Sequence, residues 1–174
     1  MAKWRNFYLQ RMGVDSSSNP YPVYESVLQW GVWCKDIPFQ LANKVKEPAK
    51  RNWYDEDGDD EFVSGDGLRM EAYTMEVEFG CKIMSNVKDE HTTMPTVTDV
   101  RSNVNTFLTY LRSSGHMKMY SSYTGIGRQN VRLESIDDKG KFKKEKGQEF
   151  LIFKVKFKVN DPVTDVVLAG GGNS

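Results

Sequence analysis

Residues Tyr73–Ile83 read YTMEVEFGCKI, with an apolar side chain at every odd-numbered position. The even-numbered positions hold Thr74, Glu76, Glu78, Gly80 and Lys82. Because successive side chains of a β-strand point to opposite faces, this alternation predicts a strand with one face in the core and one in solvent. The stretch Leu151–Val159 (LIFKVKFKV) alternates in the same way, with Lys154, Lys156 and Lys158 outward. If the two strands are antiparallel neighbours, glutamates and lysines pair across the sheet.

One amphipathic helix is predicted at residues 97–114, with Gly115 as its stop. Its apolar positions, at spacings of three and four, are Val97, Val100, Val104, Phe107, Leu108 and Leu111. An earlier strand is predicted from residues of one parity, namely Tyr24, Leu28, Trp30, Val32 and Cys34. Further strands follow the helix, and the charged stretch 137–148 is predicted to be a hairpin connection. The order β-β-α-β-β-β predicts an α+β, mainly β single domain over residues 1–174, an antiparallel β-sandwich or partial barrel with one flanking α-helix.

The composition limits the classes of function. The 24 Lys and Arg residues balance the 24 Asp and Glu residues, so the formal net charge is zero. A dedicated nucleic-acid or membrane-surface binder normally carries a basic excess. No window approaches the run of about 18 apolar residues that a membrane span needs, so no membrane partner is expected. Cys34 and Cys81 lie in strand-like stretches without CxxC spacing, which predicts two buried, reduced thiols.

A long acidic loop is predicted at residues 40–66. Its carboxylates are Asp55, Glu56, Asp57, Asp59, Asp60 and Glu61. Counted from Asp55 as a calcium-binding EF-hand loop, glycine falls fourth instead of sixth, and the twelfth residue is Asp66 instead of glutamate. The EF-hand match therefore fails, although a looser cation site built from Asp55, Asp57 and Asp59 stays an alternative. Catalytic acids need a partly dry environment, so a solvated loop is the preferred interpretation and no cofactor is expected.

Both ends of the chain are predicted to be extensions. At residues 1–20, the aromatic side chains of Trp4, Phe7 and Tyr8 alternate with Arg5 and Arg11. This pattern is compatible with a nucleic-acid platform or with an arm that docks on a neighbouring subunit. The neutral net charge favours the arm. The tail at residues 169–174 reads AGGGNS and is predicted to be flexible.

These extensions and the separated charges favour self-assembly. A head-to-tail contact joins two different surfaces of one subunit, so acidic and basic patches on a neutral chain suit it. We expect the loop Asp55–Glu61 to meet Lys154, Lys156 and Lys158, or the stretch KGKFKKEK, on the next copy. The acidic loop facing a DNA-conducting lumen is the alternative, because such a lining should not bind phosphates.

Five segments between Val23 and Pro162 carry a resemblance: VYESVLQWGVWCKDIPF, DEDGDDEFVSGDGLRMEAYTMEVEFGCK, VRSNVNTFLTYLRSSG, MKMYSSYTGIGRQNVRLESI and EFLIFKVKFKVNDP. This succession resembles neck or tail ring proteins of tailed bacteriophages, in particular those of crAss-like phages and related prophages of gut Bacteroidales. The resemblance implies a tail-tube or tail-completion type fold whose subunits stack as hexameric or dodecameric rings below the portal. The implied partners are copies of the chain, the portal or adjacent tail ring proteins, and genomic DNA that passes through the lumen without sequence-specific binding. The implied location is the virion, after assembly in the host cytoplasm.

Two other functions stay open. A carbohydrate- or small-molecule-binding β-sandwich would use Trp33 and Trp53 for stacking, because Trp30 has the parity of a core residue. A hydrolase would use the acidic loop and depend on a cation. The sequence contains no nucleophile elbow, P-loop, HExxH or Cys/His cluster, so the expectation is that the protein is not an enzyme.

Overall fold

The computed structural model describes residues 3–41, 43–82, 97–145 and 148–168. Its strands are β1 (Tyr8–Arg11), β2 (Val23–Glu25), β3 (Val32–Cys34), β4 (Ala49–Arg51), β5 (Asp60–Phe62), β6 (Tyr73–Cys81), β7 (Met117–Ser121), β8 (Ile126–Glu145) and β9 (Gln148–Asp161). Its helices are α1 (Ser26–Trp30) and α2 (Val97–Ser114). Seven strands form one antiparallel sheet in the order β2-β1-β7-β8-β9-β6-β3, and β4 pairs with β5 alone. The sheet curls into a half-barrel with one main helix, which confirms the predicted mainly β class.

Strands β6 and β9 are confirmed as antiparallel neighbours. Phe79 lies opposite Phe153 and Glu78 lies opposite Lys154. The apolar residues of both strands are buried and the charged ones face solvent. Lys154 forms its ion pair diagonally with Glu76 at 3.0 Å, while Glu78 pairs with Lys35 of the region after β3 at 2.7 Å. The predicted charge pairing across the sheet is therefore present.

The core lies between the sheet and α2. Helix α2 occupies the predicted residues, and Val100, Val104, Phe107 and Leu111 are buried. Phe107 packs against Phe79 with ring centroids 5.4 Å apart. Further aromatic side chains complete the cluster, namely Phe7, Trp30, Phe153 and Phe157. No helix of the described residues is both long and apolar enough to cross a membrane.

Part of the predicted N-terminal arm, residues 7–11, belongs to the sheet and the core. Strand β1 lies inside the sheet between β2 and β7, and Phe7 is 0% exposed. The prediction that Phe7 contacts a neighbouring subunit is therefore wrong. Phe7 and Leu9 share the buried face of the strand, so the aromatic residues that suggested an arm include part of the core. Tyr8 points to the other face and packs against Tyr120.

The strand predicted from Tyr24 to Cys34 is interrupted by α1. The Glu25 carboxylate accepts hydrogen bonds from the amides of Val27 and Leu28, and Gly31 ends the turn with a positive φ of 64°. A helical turn changes the side-chain period from two to 3.6. Leu28, predicted to face inward, is therefore 88% exposed, while Trp30 is buried as predicted.

Two predicted loops contain strands. The loop at residues 40–66 includes the ribbon of β4 and β5, and the predicted connection at residues 137–148 is largely strand, because β8 runs to Glu145. Pairing shifts between Leu133 and Ser135 and between Asp137 and Lys141 keep β8 against β9. Charged side chains do not prevent backbone pairing between strands, which is why polarity misidentified both segments. The predicted tail at residues 169–174 lies outside the described residues.

Both thiols are buried and free, as predicted. Burial raises the pKa of Cys34 and of Cys81 to about 12, and Asp36 adds to the effect at Cys34. The thiolate, not the thiol, is the reactive species. Neither cysteine is therefore available as a nucleophile in the folded chain.

We expect both cysteines to react slowly with a thiol reagent at pH 8 in the folded protein and rapidly in denaturant. The free energy of unfolding should fall as the pH rises from about 8.5, where unfolded thiols begin to ionise, toward 12, where the folded thiols do. Labelling followed by mass spectrometry measures the first effect, and urea titration at several pH values measures the second. Immediate labelling of either native thiol would contradict the expectation.

Candidate functional site

A projecting hairpin at residues 43–71, here called the acidic hairpin, replaces the predicted acidic loop. Its base is held by the pairing of Val45 with Met70, flanked by backbone hydrogen bonds from Lys46 to Arg69 at 2.7 Å and from Glu71 to Lys44 at 2.8 Å. Farther out, β4 pairs with β5. Every residue of β4 and β5 is exposed, so the ribbon stands clear of the core.

The outer part of the acidic hairpin combines charge with exposed apolar surface. All six carboxylates from Asp55 to Glu61 are exposed, and no basic residue lies between Asn52 and Val63. Tyr54 is 99% exposed and Phe62 is 76% exposed. Large apolar side chains cost free energy when they stay in water, so this segment has the composition of a contact surface.

A cation site is not assembled on the hairpin. Asp59 accepts a hydrogen bond from Asn52 at 2.9 Å and pairs with Lys50 at 3.3 Å. Among the residues that the structure describes, no group of three or more His, Cys, Asp or Glu side chains is arranged to hold a metal ion. The alternative built from Asp55, Asp57 and Asp59 therefore has no preformed geometry.

The other predicted site residues are not brought together with the hairpin. Lys154 is engaged by Glu76, and Lys156 and Lys158 lie opposite Glu76 and Thr74 of β6. One lysine of the row, Lys154, is thus neutralised within its own sheet. The row offers less free positive charge than the sequence suggests.

A groove between α2 and β8, here called the α2–β8 groove, was not predicted. One cavity of about 300 Å³ is lined by Arg101, Val104, Asn105, Leu108, Ile136, Asp137, Gly140, Leu151 and Phe153. A second cavity of about 280 Å³ is lined by Leu111, Arg112, Gly115, His116, Arg132 and Leu133. Leu108, Leu133 and Ile136 pack on the core yet stay partly exposed. The groove therefore has an apolar floor and a rim that carries three arginines and the Asp137 carboxylate.

Strand β8 has an open edge along this groove. It pairs with β7 from Ile126 to Val131 and with β9 from Gln129 to Glu145. Beyond Val131, no described strand other than β9 pairs with it. Strand β7 cannot pair farther along β8, because β7 begins at Met117 and the chain before it forms helix α2. An open strand edge carries backbone groups that can pair with another chain.

An aromatic hollow lies on another part of the sheet. Trp4, Trp33, Gly80, Lys82 and Phe150 line a cavity of about 190 Å³. The indole ring of Trp4 covers Gly80, where an added Cβ would lie 3.1 Å from the ring. Trp33, one of the two predicted stacking residues, is therefore in a hollow with Trp4, whereas Trp53 is not among its lining residues.

A buried arginine fixes the entry to the acidic hairpin. Arg128 is 4% exposed. Its guanidinium donates hydrogen bonds to the carbonyl oxygens of Gly127 at 2.9 Å and Gln40 at 3.3 Å. The same guanidinium lies 3.6 Å from the Asp165 carboxylate. It thus joins β8 to the residue where the chain leaves for the hairpin. The burial of Arg128 was not predicted, because nothing in a polar, turn-forming stretch of sequence indicates that the arginine side chain is buried.

The comparisons with known proteins give a fold similarity. No protein-family model matches the sequence, and no curated protein matches it. Among solved structures, the fold is similar to that of the SPP1 Dit (gp 19.1) protein, described as a paradigm of hub adsorption apparatus in Gram-positive infecting phages. The TM-score is 0.49 and the identity 15%, over 90% of this chain and 50% of that chain. This chain thus spans half the length of the Dit protein.

Proposed function

We propose that this chain is a structural protein of a tailed-phage tail or neck, and that its copies assemble head to tail into a ring. The acidic hairpin is the observation that carries the proposal. A two-stranded ribbon alone is marginally stable in water, and this one keeps Tyr54 and Phe62 exposed. A partner that covers the ribbon would stabilise the pairing of its two strands and would remove the apolar surfaces of Tyr54 and Phe62 from water.

The partner in this proposal is another copy of the chain. The formal net charge is zero, while the hairpin tip is acidic and the rim of the α2–β8 groove contains arginines. Two different surfaces of opposite charge on one subunit suit a head-to-tail contact, which closes into a ring when the rotation permits. A structural role also agrees with thiols that burial keeps protonated.

The finer assignment follows the sequence resemblance to crAss-like phage ring proteins. In this assignment the ring has six or twelve subunits, adjoins the portal or adjacent tail rings, and conducts genomic DNA without sequence-specific binding. The chain is assembled in the host cytoplasm and functions in the virion. In the alternative in which the acidic hairpin faces the lumen instead of a neighbouring copy, its carboxylates would let phosphates slide past without binding.

Particle mass tests the proposal. Purified protein measured by mass photometry and negative-stain microscopy should give rings with a mass of six or twelve times 20.0 kDa. Assembly should strengthen with protein concentration, because association follows mass action. A 20.0 kDa particle at every concentration, alone and with a phage portal ring present, would contradict ring formation.

A carbohydrate-binding module is the second candidate, and the hollow between Trp4 and Trp33 favours it. Aromatic faces stack on apolar faces of sugar rings, and Lys82 supplies a polar donor at the same hollow. Titration with soluble glycans should then change tryptophan fluorescence in wild-type protein but not in Trp33→Ala. Fluorescence that no glycan changes would count against this candidate.

A further inference from the structure

We propose that the acidic hairpin of one copy docks into the α2–β8 groove of the next, with β5 pairing along the open edge of β8. This inference rests on the proposed ring and names the two surfaces that form it. It replaces the predicted contact with Lys154, Lys156 and Lys158, because Lys154 already pairs with Glu76.

Backbone geometry supports the contact. Strand β5 pairs with β4 on one side, and within the described chain its other side has no strand beside it. The segment Arg132–Ile136 of β8 is likewise paired on the β9 side only. Joining these two edges forms main-chain hydrogen bonds and continues the sheet from one subunit to the next, as in β-strand addition.

Apolar surfaces match at the same place. Phe62 lies at the end of β5 and is largely exposed, while Leu133 and Ile136 of β8 leave part of their surface in the groove. The groove cavities, about 300 and 280 Å³, are open to solvent beside these residues. Inserting an aromatic side chain over this floor removes apolar area from water on both partners.

Charge selects the orientation. The groove lining holds three arginines, Arg101, Arg112 and Arg132, against one carboxylate, Asp137. The hairpin tip holds six carboxylates without a basic residue. Arginine binds carboxylates with paired hydrogen bonds. Two acidic hairpins repel each other, so a symmetric hairpin-to-hairpin dimer is disfavoured and the head-to-tail arrangement is favoured.

Charge reversal tests the contact with matched controls. We expect Glu61→Lys and Arg132→Glu each to raise the concentration needed for half-assembly by at least about tenfold. A double variant that carries both Glu61→Lys and Arg132→Glu should recover most of the loss, because the reversed charges attract again at every contact. The controls Asp36→Lys and Lys3→Glu, at exposed positions away from both surfaces, should assemble like wild type. Circular dichroism melting curves establish that all variants are folded.

Disulfide trapping gives a second, independent measurement. Phe62→Cys and Ile136→Cys chains, mixed and oxidised, should form a cross-linked heterodimer, whereas each chain alone should not; the native thiols are buried. Two results would contradict this contact while leaving the ring intact. One is rings that persist in both charge variants. The other is disulfides that form only within a single chain that carries both cysteine substitutions. A wild-type chain that stays monomeric would overturn the ring and the contact together.

Discussion

Replacing Phe79 with alanine is expected to lower the free energy of unfolding by about 3–5 kcal/mol. The Phe79 side chain is fully buried and lies among Phe7, Phe107 and Phe153, with ring centroids 5.2–5.6 Å away. Its removal leaves a cavity where β1, β6, β9 and α2 meet, so no single element can move to fill it. Natural domains are stable by only about 5–15 kcal/mol, and the loss should therefore be visible as partial unfolding at 37 °C.

Urea titration at a protein concentration below that of self-association measures this loss. The matched control is Phe62→Ala, which removes the same atoms from an exposed position and should change the free energy of unfolding by less than about 0.5 kcal/mol. Equal losses in the two variants would mean that Phe79 is not in the core, and the arrangement of β6 against α2 would be wrong.

Replacing Gly31 with alanine is expected to cost about 2–4 kcal/mol, from two causes that add. Gly31 has a positive φ of 64°, which a residue with a Cβ adopts at a cost of about 1–2 kcal/mol. A Cβ there would also lie 2.6 Å from the carbonyl oxygen of Lys82, closer than van der Waals contact permits. The backbone must shift where β3 begins beside β6, and the Lys82 amide loses its 3.0 Å hydrogen bond to Gly31.

Gly125→Ala separates the two causes. Gly125 has a similar positive φ of 67°, but an added Cβ meets nothing within 4 Å. This variant should therefore show only the backbone cost of about 1–2 kcal/mol, measured by the same titration. If both variants lose the same free energy, the close approach of Gly31 to Lys82 contributes nothing.

The two core predictions and the assembly contact depend on different parts of the molecule. Phe79 and Gly31 act inside one chain, where they determine whether the sheet and α2 pack at all. Glu61 is exposed, so Glu61→Lys should leave the melting temperature of the monomer nearly unchanged. Arg132 is half-buried and its guanidinium donates to the Leu133 carbonyl at 3.1 Å, so Arg132→Glu should lower that temperature by the loss of one hydrogen bond. A variant that abolishes rings without lowering stability is therefore evidence about the contact alone.

The sequence predicted the strands and the helix whose burial follows one regular period. In β6 and β9 alternate residues are buried, and in α2 the residues at spacings of three and four are buried. Burial of one face of a strand or helix determines the period of its apolar residues, so the element can be predicted without knowing which other elements pack against it. The buried thiols were predictable for the same reason, because both cysteines share the inward parity of their strands.

The tertiary structure alone decided where β1 lies and what surrounds β8. The four residues of β1 are too few to show a period, and their place between β2 and β7 depends on pairing with residues about 110 positions away (Tyr8 with Tyr120). The acidic charge of the hairpin was evident from the sequence, but the groove that fits it was not. That groove exists because β7 starts soon after α2 and, within the described chain, leaves β8 paired beyond Val131 on its β9 side only. The point where a neighbouring strand ends is a property of long-range register that no local pattern records.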